Sequence, residues 1–281
     1  MPNTAIGDSR NRAEAVRAAL IDAALVAYED AGLSGLCAEG RWEAAVAAMR
    51  SLDVSAPPSS ATPGETSMSD GAVADLITSL SGAVTAVAST SFPPPSGGSV
   101  AAAAGALAAA LTQMVAGLTA GRPRYAHVAA EMQDAARRAA VLGAELSALV
   151  RSDATAVDAV TAAYRLPKGT DAEASRRAAE IEGAMRRATE VPVEIARASA
   201  AVAELAAGVA ERGNKNAVAD AAVAVLLADC VCRAATLTVR VNAAALHDAQ
   251  DRLRLANQAS AFDEVASNAT LRAVLAVEDA R

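Results

Sequence analysis

Aromatic side chains are almost absent from this chain: they make up 2% of its 281 residues, although 53% of the residues are hydrophobic. A core without Phe, Trp and Tyr has to be filled by Ala, Val and Leu, and alanine is both the smallest apolar filler and the best helix former. Strands of sandwiches and barrels instead need alternating β-branched and aromatic residues. The sequence therefore predicts an all-α fold of closely packed helices and excludes an all-β fold.

The charge and the cysteines restrict the partners and the location of the protein. The net charge is -7 and no basic stripe runs along the chain, so we expect no nucleic-acid partner. Three cysteines, Cys37, Cys230 and Cys232, are too few for a disulfide framework. Residues 1–12 lack the apolar core of a signal peptide. We therefore expect a reducing, cytoplasmic location.

Residues 97–121 carry no charge and are long enough for a helix that spans a bilayer. It consists mostly of alanine, which gains little free energy on transfer into lipid, and its small residues also allow close helix packing in a bundle. A second apolar segment, residues 217–246, is interrupted by charged side chains. We interpret both segments as bundle helices and expect no membrane partner.

Proline, serine, threonine and glycine displace the helical pattern over residues 53–69, which we interpret as a linker. Residues 1–52 before it predict an arm of two helices, the first from Ser9 to about residue 31 and the second over residues 38–52. Two helices cannot bury their apolar faces alone. We therefore expect the arm to dock on the main domain, residues 70–281, or on a partner, through the side chains of Leu33, Leu36, Trp42, Val46 and Met49.

Turn signals divide residues 70–281 into a series of helices. A break at Val191 and Pro192 is expected to separate one helix from the next, because proline lacks the backbone N–H of a helix interior. The predicted helices cover residues 71–89, 99–119, 125–150 with a continuation or restart over 153–165, 171–189, a segment that ends at Glu211, and 216–246, followed by one or two more.

Several common catalytic motifs are absent from the sequence. His127 and His247 are far apart, and Cys230 and Cys232 face different sides of a helix, so no metal site is predicted. Walker A, strand-led GxGxxG and GxSxG sequences are absent. The turn PPPSGGS, residues 93–99, opens a helix, and its glycines and free N–H groups suit an anionic or carbonyl-bearing ligand. A plain helix-entry turn explains the same pattern.

Six segments follow one another in a distinctive order. They are PPPSGGSVAAAAGALAAALTQMVAGLT (93–119), GRPRY (121–125), DATAVDAVTAAYRLPKGT (153–170), ATEVPVEIAR (188–197), ERGNKNAVADAAVA (211–224) and LTVRVN (237–242). In this order they resemble the formiminotransferase-cyclodeaminase C-terminal family, and most of all its single-domain bacterial methenyltetrahydrofolate cyclohydrolases. The resemblance extends from about residue 70 to the C-terminus and leaves out the arm.

The resemblance implies an all-helical homodimer whose substrate is a tetrahydrofolate derivative and which needs no bound cofactor. The implied reaction is hydrolysis of 5,10-methenyltetrahydrofolate to 10-formyltetrahydrofolate. Cyclodeamination of formiminotetrahydrofolate with release of ammonia, or folate binding without catalysis, are the alternatives. Hydrolysis and cyclodeamination both pass through a tetrahedral carbon between two nitrogens. A carboxylate at that point can attract the cationic substrate and move protons.

The resemblance also implies site residues. Asp153 is implied as the catalytic carboxylate, and Lys168 as a residue that orients substrate or stabilises charge. Cations of the GRPRY segment are expected to meet folate carboxylates, and polar residues of the later motifs are expected to line the same cleft. The implied substrate-binding residues are Ser96, Gly97, Gly98, Ser99, Arg122, Arg124, Tyr125, Asn214, Asp220 and Asn242.

Pro94 stands where the family has threonine, and three further departures from the family pattern bear on activity. Ser96 stands where the family has glycine, Ala219 where it has serine, and Thr238 where it has asparagine. A hydroxyl and an amide that could make hydrogen bonds are thereby lost, and the larger residue at position 96 can crowd a backbone that approaches the ligand. Reduced or altered activity is therefore also an expectation.

Overall fold

The computed structural model describes residues 4–33, 38–52, 68–90 and 95–280. These residues are helical almost throughout and contain no strand, which confirms the predicted all-α fold. Two compact units are present, residues 1–81 and residues 82–281. Most of the expected linker, including residues 53–67, lies outside the described residues, as do Leu36, Cys37, Pro93 and Pro94.

The first unit contains a helical hairpin of α1 (Thr4–Leu33) and α2 (Ala38–Ser51). Ala31 and Ala45 are buried, and the Arg41 guanidinium lies 4.1 Å from the centre of the Tyr28 ring. The hairpin arm was predicted, but α1 begins at Thr4 and not at a cap on Ser9.

The same unit contains the first part of α3 (Met68–Val87). Exposed apolar side chains, Leu76, Ile77 and Leu80 among them, follow one another along this helix. Trp42 on α2 is also exposed, whereas Val46 and Met49 are half-buried. The arm therefore leaves apolar surface open, as expected of a hairpin that cannot cover itself.

The second unit is an up-and-down bundle of five long helices joined by short connections. A 3-10 helix, Pro123–Val128, joins the first two, and another, Lys215–Ala217, precedes the fourth. The five helices are α4 (Gly97–Ala120), α5 (Ala129–Tyr164), α6 (Asp171–Arg212), α7 (Val218–Ala243) and α8 (Ala249–Glu278).

Alanine and valine fill the core of the bundle. α6 packs against every other long helix of this unit. Its inward face is mostly alanine and valine, with Ala196, Val202 and Ala203 completely buried. No aromatic side chain is buried in the described part of the chain. The small side chains let the helix axes approach closely, as the composition predicts.

The expected break at Pro192 is wrong, because α6 continues through this residue to Arg212. Proline removes the N–H that would bond the carbonyl four residues earlier, that of Ala188. The amide Nδ2 of Asn242 on α7 donates to that carbonyl at 2.7 Å. The neighbouring helix therefore replaces the missing hydrogen bond, so the helix is not interrupted.

Two helices, α4 and α7, are long and apolar enough to cross a membrane by length and composition alone. Within the bundle, 39% of the most apolar window of α4 is buried and 56% of that of the α7 segment. A core helix of a water-soluble bundle has the same properties. α4 differs from α7 in leaving a larger share of its apolar surface open.

Candidate functional site at the start of α4

The glycine-serine turn caps the N-terminus of α4. Ser96 is the N-cap residue with an extended backbone, and its Oγ accepts a hydrogen bond from the backbone N–H of Ser99 at 3.5 Å. The first N–H groups of a helix have no intrahelical partner and carry a partial positive charge. The turn therefore offers a positive pole at the end of the bundle.

Asp153 of α5 lies against this pole and is 6% exposed. Its Oδ2 accepts a hydrogen bond from Ser99 Oγ at 2.8 Å and a second from Ser96 Oγ. A buried carboxylate needs such donors, because burial without partners costs free energy. The two hydroxyls and the helix pole hold the charge in place.

The contact between α5 and the turn depends on Gly98. A Cβ built at this position would lie 2.7 Å from Cγ of Asp153, closer than carbon atoms pack. At Gly97, by contrast, an added Cβ meets no atom within 4 Å. Only one of the two glycines is therefore required for the carboxylate to reach the helix.

A cleft of about 400 Å³ opens beside the two serines. Ser96 and Ser99 line it, whereas Asp153 lies behind them, so the hydroxyls stand between the carboxylate and the open volume. Pro95 and one face of α5 form the rest of the wall. The lining residues from α5 are Ser147, Val150, Arg151, Ala154, Val157 and Asp158.

The sequence analysis missed Ser147 and Arg151 as site residues and did not place Asp158 in the site. Ser147, Arg151 and Asp158 are four and seven residues apart and share one helix face, but none of them is three or four residues from Asp153, so the choice of Asp153 did not point to them. Both Arg151 and Asp158 are exposed. The cleft therefore combines a fixed carboxylate with an accessible cation and a second, accessible carboxylate.

The residues of the GRPRY segment gather at the opposite end of α4. The Tyr125 hydroxyl donates to Asn214 Oδ1 at 3.5 Å and accepts from the Lys215 N–H at 3.0 Å. Asn214 is buried, and its N–H donates to Thr119 Oγ1 at 3.0 Å. The Nε of Arg122 is buried and makes no hydrogen bond within the described part of the chain.

The two clusters of implied site residues are far apart within one subunit. α4 has 24 residues, and at 1.5 Å per residue it separates Ser96 from Arg122 by about 35 Å. Asp220, exposed in the first turn of α7, belongs to the Asn214 end. The single cleft expected for all of these residues is therefore not formed within one chain.

Lys168 also lies apart from the carboxylate's hydroxyl partners. Lys168 is exposed in the turn after α5, and α5 continues for about 16 Å beyond Asp153 before it ends. The amide of Asn242 is used by the Ala188 carbonyl. The structure thus gives Asn242 a part in holding α6 together.

Neither the two described cysteines nor His247 lines the cleft. Cys230 is exposed and Cys232 buried, both as free thiols, and burial raises the pKa of Cys232 to about 12. The side chain of His247 is exposed and pairs with Glu182 at 2.7 Å. Within the described ranges, no three His, Cys, Asp or Glu side chains are grouped as a metal site requires.

A sequence profile of the formiminotransferase-cyclodeaminase family matches residues 79–261 of the chain. This range contains the turn, Asp153 and the Tyr125 cluster. The chain belongs to the formiminotransferase-cyclodeaminase family. Residues 1–78, which include the α1–α2 hairpin, lie outside the match.

Relatives in this family have two kinds of name. The chain is 44% identical over 168 residues to a methenyltetrahydrofolate cyclohydrolase of Methylorubrum extorquens, a match that covers 59% of this chain and 81% of that protein. It is 37% identical over 149 residues to the formimidoyltransferase-cyclodeaminase of Mus musculus, covering 53% of this chain and 27% of the mouse protein.

A solved structure of the family has the same fold. The formiminotetrahydrofolate cyclodeaminase of Thermotoga maritima superposes with a TM-score of 0.62 at 26% identity, covering 69% of this chain and 92% of that one. The all-helical bundle is therefore the family's fold.

The three departures from the family pattern have different settings in the structure. Ser96 does not crowd the turn, since its hydroxyl caps α4 and donates to Asp153. Ala219 is exposed, and the Thr238 hydroxyl donates to the Ala234 carbonyl of its own helix at 3.0 Å. The serine at position 96 therefore adds a hydrogen-bond donor to the site.

Proposed function

We propose that this protein hydrolyses 5,10-methenyltetrahydrofolate to 10-formyltetrahydrofolate in one-carbon metabolism. The observation that carries the proposal is the Asp153 carboxylate, buried at the positive end of α4 and reached from the cleft through two serine hydroxyls. The 44% identity to a cyclohydrolase, over 81% of that protein's length, selects this reaction within the family.

The site geometry suits water attack on a cationic carbon. The methenyl carbon lies between two nitrogens that share a positive charge, which a fixed carboxylate attracts. Water adds to this carbon and loses a proton, and a C–N bond then breaks as the leaving nitrogen N5 takes a proton. Asp153 is placed to accept and return the proton as a general base and acid. Ser96 and Ser99 stand between it and the cleft.

The serine hydroxyls connect the carboxylate to the substrate water. Each hydroxyl has one proton to donate and lone pairs to accept with. A hydroxyl that donates to Asp153 can therefore still accept a hydrogen bond from a water molecule in the cleft. Arg151 on the wall is placed to meet a carboxylate of the folate. Lys168 stays a predicted substrate-orienting residue.

Cyclodeamination of formiminotetrahydrofolate is the second candidate. The mouse relative and the Thermotoga structure both carry cyclodeaminase names. The same carboxylate would serve this reaction, since ring closure also passes through a tetrahedral carbon and needs a proton for the departing ammonia. The two reactions therefore differ in substrate and not in the kind of catalytic group.

The remaining expectations are part of the proposal. The folate is the substrate, no resident cofactor is needed, and the active form is a homodimer in the cytoplasm without nucleic-acid or membrane partners. The free thiols of Cys230 and Cys232 support a reducing location. Exposed apolar residues on α4 and α7 support self-association, since contiguous apolar surface marks interaction sites.

An absorbance assay tests the proposed reaction. Purified protein is added to methenyltetrahydrofolate, spontaneous hydrolysis is subtracted, and loss of the near-ultraviolet absorbance of the substrate is followed. We expect the rate of absorbance loss to be proportional to the protein concentration. Ammonia release from formiminotetrahydrofolate, without methenyl hydrolysis, would instead assign the protein as a cyclodeaminase. Folate binding without either reaction would identify a non-catalytic relative.

A further inference from the structure

One oxygen of the Asp153 carboxylate faces both serines. Oδ2 accepts from Ser99 Oγ at 2.8 Å and from Ser96 Oγ. The other oxygen, Oδ1, is the atom nearest to a Cβ built on Gly98, so it lies against the first turn of α4. Asp153 itself does not line the cleft. A proton that moves between the cleft and this carboxylate therefore has its shortest route through a serine hydroxyl at Oδ2.

Ser99 is held between two acceptors of α5. It is 2% exposed, and its Oγ lies 3.2 Å from the Val150 carbonyl as well as 2.8 Å from Asp153 Oδ2. A hydroxyl has one proton to donate, so this proton is shared between two groups of the neighbouring helix. The contacts make Ser99 an anchor that holds the start of α4 against α5.

Ser96 is more open than Ser99 and is bonded differently. It is half-buried and lines the cleft. Its Oγ donates to Asp153 and accepts from the Ser99 N–H at 3.5 Å. Because a hydroxyl oxygen has two lone pairs, the second can accept a hydrogen bond from a water molecule in the cleft. Ser96 can therefore take a proton from that water while it gives its own proton to Asp153.

We propose that Ser96 is the proton-relay residue of this active site and that its hydroxyl carries the proton between the substrate water and Asp153. This assignment rests on the proposed function and names the route within the same site. Position 96 is one at which the family pattern has glycine, which has no hydroxyl. The relay is therefore a feature of this chain that departs from the family pattern.

The relay moves two protons in one step. As the water oxygen bonds to the methenyl carbon, a proton of the water passes to Ser96 Oγ and the Ser96 proton passes to Asp153 Oδ2. In the second step Asp153 returns its proton to Ser96, and the Ser96 proton passes to N5, which takes the electron pair of the breaking C–N5 bond. The hydroxyl proton of the intermediate leaves to solvent as the formyl C=O forms, so the positive charge of the substrate departs as that proton.

The N-cap role of Ser96 has to be separated from the relay, and three substitutions do so. Glycine and asparagine are both good N-cap residues, so Ser96→Gly and Ser96→Asn keep the start of α4 but remove the hydroxyl. The asparagine amide can still donate a hydrogen bond to Asp153, but it cannot pass a proton on. Ser96→Thr keeps the hydroxyl.

Turnover of these variants with methenyltetrahydrofolate tests the relay. We expect Ser96→Thr to stay near the wild-type kcat. Ser96→Asn should lose about 100-fold in kcat, the scale of a lost proton transfer, with little change in KM. Ser96→Gly should lose about 10-fold, because a water molecule can occupy the space of the hydroxyl and replace it in part. Ser152→Ala is the control, at a serine beside Asp153 that does not line the cleft, and should keep wild-type turnover.

The solvent isotope effect gives a readout that an N-cap or a space-filling role would not change. We measure kcat in mixtures of H₂O and D₂O. Two protons that move in one step make the plot of kcat against deuterium fraction curved, whereas one proton gives a straight line. The wild type and Ser96→Thr should give curved plots, and Ser96→Asn a straight line. A straight line for the wild type, or equal curvature in Ser96→Asn, would overturn the relay.

The kinetic outcomes separate the relay from the proposed function. Wild-type kcat in Ser96→Asn, or equal losses in Ser96→Asn and Ser96→Thr, would overturn the relay and leave the function standing. A loss confined to KM would also overturn the relay, because it would assign Ser96 to substrate binding. If the wild type shows neither methenyl hydrolysis nor cyclodeamination, the proposed function fails and the relay fails with it.

Discussion

At the scale of single residues, the site depends on one close approach. Gly98 leaves the space into which the Asp153 carboxylate fits, and the two serines hold it there. The family resemblance predicted the Ser96–Ser99 turn and Asp153. It did not predict their contact, because the two segments are more than fifty residues apart and meet only when α4 and α5 pack.

A methyl group at position 98 should disturb this contact. Gly98→Ala places its Cβ against the carboxylate, so α5 or the turn must shift, at a cost of about 1–3 kcal/mol in the free energy of unfolding. Urea denaturation followed by circular dichroism measures this cost. Gly97→Ala is the matched control, since its Cβ meets open space; equal destabilisation by both substitutions would show that the close approach is unimportant.

At the scale of the helices, α6 shows how a neighbour overrides a local signal. Pro192 predicts a break, and the sequence around it contains nothing that opposes the prediction. The compensating donor, Asn242, comes from the end of α7, 54 residues after the Ala188 carbonyl that it bonds. Hydrophobic spacing and turn residues predicted the existence of the bundle helices. The helix α5 continues without a restart, which was one of the two predicted alternatives, whereas α6 proved longer than its local signals indicated.

Unfolding free energies can show whether the Asn242 amide replaces the hydrogen bond that Pro192 cannot donate. Asn242→Leu leaves the Ala188 carbonyl without its donor and should lower the free energy of unfolding by about 1–3 kcal/mol. With Pro192→Ala in place, the restored backbone N–H bonds that carbonyl, and the same Asn242→Leu change should cost less.

A double-mutant cycle in urea gives the coupling between the two positions. Additive effects of Pro192→Ala and Asn242→Leu would mean that Asn242 does not replace the lost hydrogen bond. The account predicts a coupling free energy well above the experimental error of the two summed single-variant effects.

At the scale of the whole bundle, an ion-pair network ties α8 to α6. Arg272 contacts Glu211 at 2.7 Å and Glu204 at 3.1 Å. Its hydrogen bonds hold the pKa of Glu211 below the ordinary glutamate value, against the opposing effect of burial. The contribution of this pair to stability is therefore present above the unfolded-state pKa, about 4.3, and is lost as the pH falls through the lower folded-state value.

Removing Arg272 should make the melting temperature less dependent on pH in the acidic range. Arg272→Leu is expected to lower the melting temperature at neutral pH, and its difference from the wild type should shrink below about pH 4. Arg137→Leu, which breaks an exposed pair with Asp134, should change the melting temperature little at any pH. A difference that stays constant or grows in acid would contradict the assignment.

The most direct test of the account is the turnover of Asp153→Asn with methenyltetrahydrofolate. The substitution keeps the shape of the side chain but removes the group that accepts the proton, so the account predicts a loss of kcat of about 100-fold or more in a protein of unchanged helicity. Asp134→Asn, at an exposed carboxylate elsewhere on α5, should keep wild-type turnover. Wild-type turnover by Asp153→Asn would contradict the assignment of the site.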